Sequence, residues 1–356
     1  MKILRFLLPA FLVVNVLFVS AQEQQVKNVI FMIGDGMGLA QLYSGMVASQ
    51  TPLALEEFPF IGISKTCSAD NIITDSAAGG TALACGQKTD NGMVGVAPDG
   101  SPVYSTLRVL AQSGWATGVV ATSSITDATP ASFVAHQLHR SKHYDIAADF
   151  VTYSPDIFVG GGRKYFDERR DGRQLLNELS DNGYAIANNL DELVQSKSAK
   201  IVALLAPDGM PSMLEGRGDM LPQATEKVIR ALSENARGFF LMVEGSQIDW
   251  QAHGNKTDGV VAEVIDFDNA VRRALNFARA DGNTLVVVTA DHETGGMAIT
   301  GGSIPDNQVE VKFVSNGHTG IPVMVYAFGP GAEQFTGFMQ NTDIKGKILN
   351  LLKVME

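Results

Sequence analysis

The chain is poor in cysteine. Only Cys67 and Cys85 occur in 356 residues, and they form no C-x-x-C, so a zinc site built on paired cysteines and a thioredoxin-like redox motif are both excluded. The two could make one disulfide; Cys85, inside a helical pattern, reads better as a small buried hydrophobe. Positive charge is also scarce. Against 38 acidic residues stand 27 lysines and arginines, a formal net charge of −11, which argues against a nucleic-acid partner and for solubility. Low-complexity tracts, repeats and linkers are missing, so nothing divides the chain into several domains. No serine lies in G-x-S-x-G, which excludes the elbow of hydrolases that activate serine through a histidine.

One apolar run, Phe6 to Val19, follows Lys2 and Arg5 and leads into Ser20-Ala21. It is short of the roughly 20 residues a spanning helix needs. Its layout is that of an export signal, which predicts a cleaved segment 1–21, a mature chain 22–356 that is periplasmic or secreted, and no membrane span after cleavage. Loss of Lys2 and Arg5 takes the formal charge from −11 to −13.

Hydrophobic residues are plentiful, at 45%. Runs rich in Val, Ile and Phe recur at 28–33, 118–121, 156–159, 200–205, 239–243, 284–289 and 322–328. Helix-period segments lie between them, the clearest from Asp258 to Ala280, where Val260, Val264, Phe267, Val271 and Leu275 share a face. Buried strands alternating with helices predict an α/β fold: a single three-layer αβα domain around a mostly parallel sheet. Departures from that pattern are expected between about Ser141 and Leu221. In such sheets ligands collect beyond the carboxyl ends of the strands, which places the active site there.

Those strand ends carry acids. Asp35 follows the first run, Asp127 and Thr129 the second, Glu244, Asp249 and His253 the fifth, and Asp291 and His292 the sixth. GDGMG is not a dinucleotide fingerprint, because position 39 is Leu39 and an aspartate between the glycines would repel a pyrophosphate. His292-Glu293 does not begin H-E-x-x-H, since position 296 is Gly296. Asp249 and His253, four apart, would face one way on a helix and could chelate one Zn²⁺. Of six histidines, His253, His292 and His318 lie beside acids or glycines, whereas His136, His139 and His143 crowd a segment around Arg140 where packing suffices. In TDSAAGGTA, Thr74 to Ala82, a capped helix start puts Ser76 where the macrodipole favours an anion, with small neighbours that leave room beside it.

These pieces resemble the alkaline phosphatase family. The matching segments are IGDGMG at 33–38, TDSAAGGTA at 74–82, DATPASFVAH at 127–136 followed by Arg140, VGGGRKYF at 159–166, VEGSQIDWQAH at 243–253, TADHETGG at 289–296 and GHTG at 317–320, in the family's order. The resemblance implies hydrolysis of a broad range of small phosphate monoesters, with inorganic phosphate as product, at two zinc ions and one magnesium. By resemblance Asp249, His253 and His318 hold the first zinc, and Asp35, Asp291 and His292 the second together with the Ser76 oxygen. Magnesium would take Asp35, Thr129 and Glu244, with Asp127 reaching it directly or through water. Ser76 is then a nucleophile that forms a phosphoserine, Arg140 grips two phosphoryl oxygens, and relatives are often homodimers. A sulfatase is excluded because neither cysteine begins C-x-P-x-R. Phosphodiesterases of the same superfamily resemble this chain without its Thr129, Glu244 and Arg140 elements, so that chemistry stays as a side activity. A secreted metal- or phosphate-binding protein without turnover is disfavoured, since no ligand or nucleophile is lost.

Overall fold

The computed structural model describes residues 25–355, so the export signal read at 1–21 lies outside the described residues. The strands are β1 (Asn28–Gly34), β2 (Phe60–Lys65), β3 (Ala116–Ser124), β4 (Ile157–Gly161), β5 (Ala185–Ala187), β6 (Ile201–Leu204), β7 (Phe239–Gly245), β8 (Thr284–Thr289), β9 (Glu293–Thr294), β10 (Ala298–Ser303), β11 (Gln308–Lys312), β12 (His318–Thr319), β13 (Val323–Phe328) and β14 (Gly337–Gln340). Ten of them form one sheet in the order β14-β2-β13-β8-β1-β7-β3-β4-β6-β5. Only β13 runs against its neighbours, so the sheet is mostly parallel, as the run of apolar strands predicts.

Every residue of β1, β3, β4, β6, β7 and β8 is buried. A strand covered on both faces needs apolar side chains in both directions, which is why these segments are continuous rather than alternating. Successive residues of β1 divide accordingly: Val29, Phe31 and Ile33 join the apolar cluster on one face, while Ile30 and Met32 join the cluster on the other. The helix Thr257–Asp281 covers the second face through Val260, Val264, Phe267, Val271 and Leu275 and stops at Gly282, whose φ of 76° is left-handed.

Parallel register then sets the level of the strand ends. Ile33 stands beside Glu244 of β7 and Thr289 of β8, and Ala121 of β3 stands on the other side of Glu244. Asp35 and Asp291 each lie two residues beyond that row, so acids far apart in sequence arrive at one edge.

The expectation about 141–221 is corrected. That segment adds β4, β6 and β5 to the same sheet, and the departures lie instead in the β10–β11 hairpin and the short β9–β12 pair. The hairpin is polar and mostly exposed, so it has no apolar period to announce it.

A buried ion cluster anchors the loop after β6 to the long helix. The Arg217 guanidinium meets Glu263 and lies 2.8 Å from Asp266, all three side chains being at most 2% exposed, and it donates to Pro211 O at 3.0 Å. Arg217→Met strands two buried carboxylates, an expected loss of about 3–5 kcal/mol in urea unfolding at neutral pH. Burial pushes Asp266 up to about 6. A folded-state pKa above the unfolded one means that proton uptake favours the folded form, so the penalty shrinks as pH falls from neutral to about 5. A small penalty, or one flat over that range, would contradict this account.

Candidate active site

Ser76 is the first residue of the helix Ser76–Cys85, whose N-cap Asp75 accepts from Ala78 N at 2.9 Å. The whole helix is buried. Its small residues serve close packing rather than open space: a Cβ on Gly79 would stand 3.2 Å from the Asp291 backbone oxygen, and one on Gly80 3.0 Å from Ser132 Oγ. The first half of the helix is thereby pressed against the end of β8 and the short helix Ala128–Ala131.

Two sets of donor atoms converge beside it. In the first, His253 Nε2 lies 3.3 Å from Asp249 Oδ2 and 3.1 Å from His318 Nε2, and His318 Nε2 lies 3.6 Å from Asp249 Oδ1. Asp249 and His253 belong to the helix Gln247–His253, so the spacing of four does put them on one side. In the second set, His292 Nε2 lies 3.4 Å from Asp35 Oδ1, 3.2 Å from Asp291 Oδ2 and 3.2 Å from Ser76 Oγ. Ligands about 2.0–2.2 Å from a tetrahedral zinc stand about 3.3–3.6 Å from one another. The six distances, 3.1–3.6 Å, lie within or just below that spacing. Gly36 permits the approach, since its φ is +69° and a Cβ there would fall 2.9 Å from Asp249 Cα.

Hydrogen bonding leaves the facing nitrogens available. His318 Nδ1 donates to Thr74 O at 2.9 Å and His253 Nδ1 donates to Asn316 O; a carbonyl only accepts, so each Nδ1 carries a proton and each neutral ring presents its Nε2 lone pair, although the Asp249 carboxylate raises His253 to about 9, so without an ion its Nε2 holds a proton too. His292 follows by a longer route. Thr294 Oγ1 spends its proton on Asp249 Oδ1, so the 3.2 Å contact with His292 Nδ1 is a donation by the imidazole. Burial, with the neighbouring His318, holds His292 well below the usual histidine range and hence neutral.

The carboxylates demand positive charge. Burial first, then Asp291, Asp249 and Glu244, raises Asp35 well above the ordinary aspartate range. Burial also pushes Asp291 up to about 7 and Glu244 up to about 8. Asp35 Oδ1, Asp291 Oδ2 and Thr129 Oγ1 are buried without a hydrogen-bond partner. Buried polar atoms are ordinarily paired, so this orphaned set fits bound cations. Glu244, fully buried, also accepts from Ser123 Oγ at 3.2 Å. The oxygen-only group of Asp35, Thr129 and Glu244 suits a hard ion such as magnesium.

Arg140 stands at the rim. Its NH1 lies 3.3 Å from Asp75 Oδ2 and its NH2 3.2 Å from Asp127 Oδ1. Burial opposes its charge, but Asp127, Asp75 and Asp35 more than offset that and keep it charged. Asp127 Oδ1 is therefore shared between Arg140 and the amide of Ala128 at 2.8 Å. His136, His139 and His143 stay outside the donor sets, held by Gly95 O, Ser141 Oγ and Thr126.

A sequence model of the family described as alkaline phosphatase matches residues 26–311. The chain belongs to that family. It is 35% identical to alkaline phosphatase 4 of Bacillus subtilis (strain 168), over 94% of this chain and 91% of the relative. The solved alkaline phosphatase of the Antarctic bacterium TAB5 is 41% identical, with a TM-score of 0.89 over 94% of this chain and all of the other. A histidine-to-aspartate variant of that enzyme, also 41% identical over 94% of this chain and all of the other, with a TM-score of 0.88, is described with Mg bound in its M3 site. The chain is accordingly a phosphoric monoester hydrolase of the alkaline phosphatase family.

Sequence reasoning missed Thr294, Thr74 and Asn316. The last two act through backbone carbonyls, which carry no residue signature; Thr294 could have been suspected from its place two residues after His292 on a strand. Thr294→Val keeps the shape and removes the hydroxyl that ties His292 to Asp249. Affinity for divalent metal, measured by competition with a chelator, should fall about 10- to 100-fold. An unchanged affinity would show that the two ligands are oriented without it.

Proposed function

We propose that this chain is an exported phosphomonoesterase in which Ser76 is the nucleophile, working with two zinc ions and one magnesium in a catalytic domain of residues 22–356. The observation that carries the reading is the place of Ser76 Oγ, at the start of a buried helix and 3.2 Å from His292 Nε2. Asp249, His253 and His318 would hold one zinc, and Asp35, Asp291 and His292 the other. Asp35, Thr129 and Glu244 would hold magnesium, with Asp127 beside them; the Mg-bearing variant of the TAB5 enzyme supports a third ion of that kind. When bound, such ions supply the positive charge that lowers the pKa of a hydroxyl and offsets charge on a departing oxygen.

The chain's own groups do the rest. Ser76 Oγ bonds to phosphorus as the ester P–O bond breaks, and the alcohol leaves. Water then cleaves the phosphoserine, which returns Ser76 and releases inorganic phosphate. Amides at the helix N-terminus favour the negative charge that gathers at Ser76. The planar fork of Arg140 takes two phosphoryl oxygens, and its carboxylate partners on both sides hold the fork in place. None of these groups contacts the alcohol, which supports turnover of more than one class of small monoester.

Ser76→Ala should keep its metal content and lose nearly all turnover, while acid quenching of the wild type with labelled substrate should leave phosphate on Ser76. Label on another residue, or near-full activity in the variant, would sink the assignment. Arg140→Ala should raise KM and the inhibition constant of inorganic phosphate by about 10- to 100-fold, the range of a charged hydrogen bond. A variant inhibited by phosphate as strongly as wild type would remove Arg140 from the site.

A further inference from the structure

Beside Arg140 lies a cavity of about 510 Å³. That is ample for a ligand fragment of one or two rings, since small-molecule pockets begin at about 300 Å³. Arg140 and Asp127 line it next to the phosphoryl position, and Trp250, Tyr165, His143 and Asp208 line the remainder. These residues come from different elements: Trp250 from the helix Gln247–His253, Tyr165 from the helix Lys164–Asp167, His143 from the helix His143–Thr152 and Asp208 from the loop after β6.

The walls are built. His143 stacks on Tyr165 with ring centroids 4.7 Å apart and 18° between planes, and its Nδ1 is tied to Thr126. The Tyr165 hydroxyl donates to Asp208 Oδ1 at 3.3 Å, and Lys164 pairs with the other oxygen. The loop that carries Asp208 is fixed, because Gly162 N donates to Asp208 O at 2.7 Å. Trp250 lies against Gly209, where a Cβ would come 2.6 Å from the indole Cη2. One edge of the ring is thus set by a residue without a side chain.

Trp250 is nonetheless 37% exposed. Among the described residues it takes no part in the aromatic or cation–π pairs that hold the cavity's other rings. An indole that is fixed in place, faces a cavity and covers no core is suited to stack on something that enters. Charge narrows the choice. Asp127 is paired with Arg140 and Asp208 with Lys164, so among the described residues the lining offers no unpaired cation for a second anionic group, and Asp208 can accept from a hydroxyl or amine.

We propose that this cavity is the subsite for the alcohol half of the substrate, and that it favours phosphate monoesters whose alcohol carries a flat aromatic or heteroaromatic ring stacked on Trp250. The inference rests on the phosphomonoesterase reading above, with the phosphoryl group at Arg140 setting where the alcohol begins. Nucleoside monophosphates and fused-ring aryl phosphates share the chemistry. Glycerol phosphate lacks it.

The test compares metal-replete wild type with Trp250→Leu on a nucleoside 5′-monophosphate, naphthyl phosphate and glycerol phosphate. Intrinsic reactivity differs among the three but cancels when each is compared across the two proteins. The preference for ring-bearing substrates over glycerol phosphate, as a ratio of kcat/KM, should fall about 5- to 100-fold in the variant, the range of an aromatic stack on one base. Loss with both ring substrates assigns the site to flat rings in general; loss with the nucleotide alone assigns it to nucleosides. The free nucleoside and naphthol should also quench indole fluorescence in wild type and not in the variant, a binding readout independent of turnover. A preference unchanged within twofold, in a variant that still hydrolyses glycerol phosphate, overturns the subsite and leaves the phosphomonoesterase reading intact. Wild type inactive on all three overturns that reading and the subsite with it.

Discussion

Four buried carboxylates, Asp35, Glu244, Asp249 and Asp291, meet at one edge of the sheet, each no more than 5% exposed. Among the described residues, Arg140 is the permanent cation that faces Asp35 in this group. Like charges gathered out of water cannot all remain ionised without partners, and the upward displacement of Asp35, Asp291 and Glu244 expresses that conflict. Two resolutions exist. Protons can neutralise the group, which would leave a cluster of inert acids, or divalent ions can, which turns the same cluster into a site. The histidines fit the second, because the outer nitrogens of His318 and His292 donate to Thr74 and Thr294 and turn their inner lone pairs toward the cluster, while the proton that Asp249 holds on His253 is one an ion would displace.

That cluster exists only because of the sheet. The register sets Ile33, Glu244 and Thr289 in one row, and a slip of one residue in any of the three strands would turn its acid to the opposite face. Such a slip is blocked by the apolar clusters on both faces, into which alternate residues of the same strands are packed. Strength in the middle of the strands is what permits a concentration of unfavourable charge at their ends. The small residues after Ser76 extend the principle: Gly79 and Gly80 bring the helix that begins at Ser76 within contact of the same edge.

Strands and the reacting residues were legible because both leave a pattern in the chain. Continuous apolar runs marked β1, β3, β7 and β8, and the acids stand directly after them. The spacing of Asp249 and His253 told their shared direction once a helix was assumed. Less could be read where burial is one-sided or polar. β2 and β14, the last two strands on one side of the sheet, are partly exposed, with glycine, serine or lysine among their residues, so periodicity does not distinguish them from loops. The carbonyls of Thr74 and Asn316 fix two histidines without any side chain taking part. The short residues near Ser76 suggested room for a ligand, whereas the structure uses them for contact between backbones.

The segment from Ser141 to Leu221 joins the sheet rather than leaving it: the apolar runs at 156–159 and 200–205 become β4 and β6, and β5 alone of its strands has no run to announce it. Its strands are short and widely spaced, which reads as departure from a core, yet β4, β6 and β5 extend the sheet in unbroken parallel order beyond β3. The same segment supplies His143, Tyr165, Asp208 and Gly209 to the cavity beside Arg140. Most of the proposed metal-binding residues therefore come from the ends of β1, β3, β7 and β8, Ser76 and Arg140 come from the segments after β2 and β3, and the flank of the sheet lines the proposed alcohol subsite. A division of this kind lets one part of the chain vary in what it admits with little effect on the charge balance on which the other depends, because the two meet along one cavity wall, at Asp127, Arg140 and Trp250.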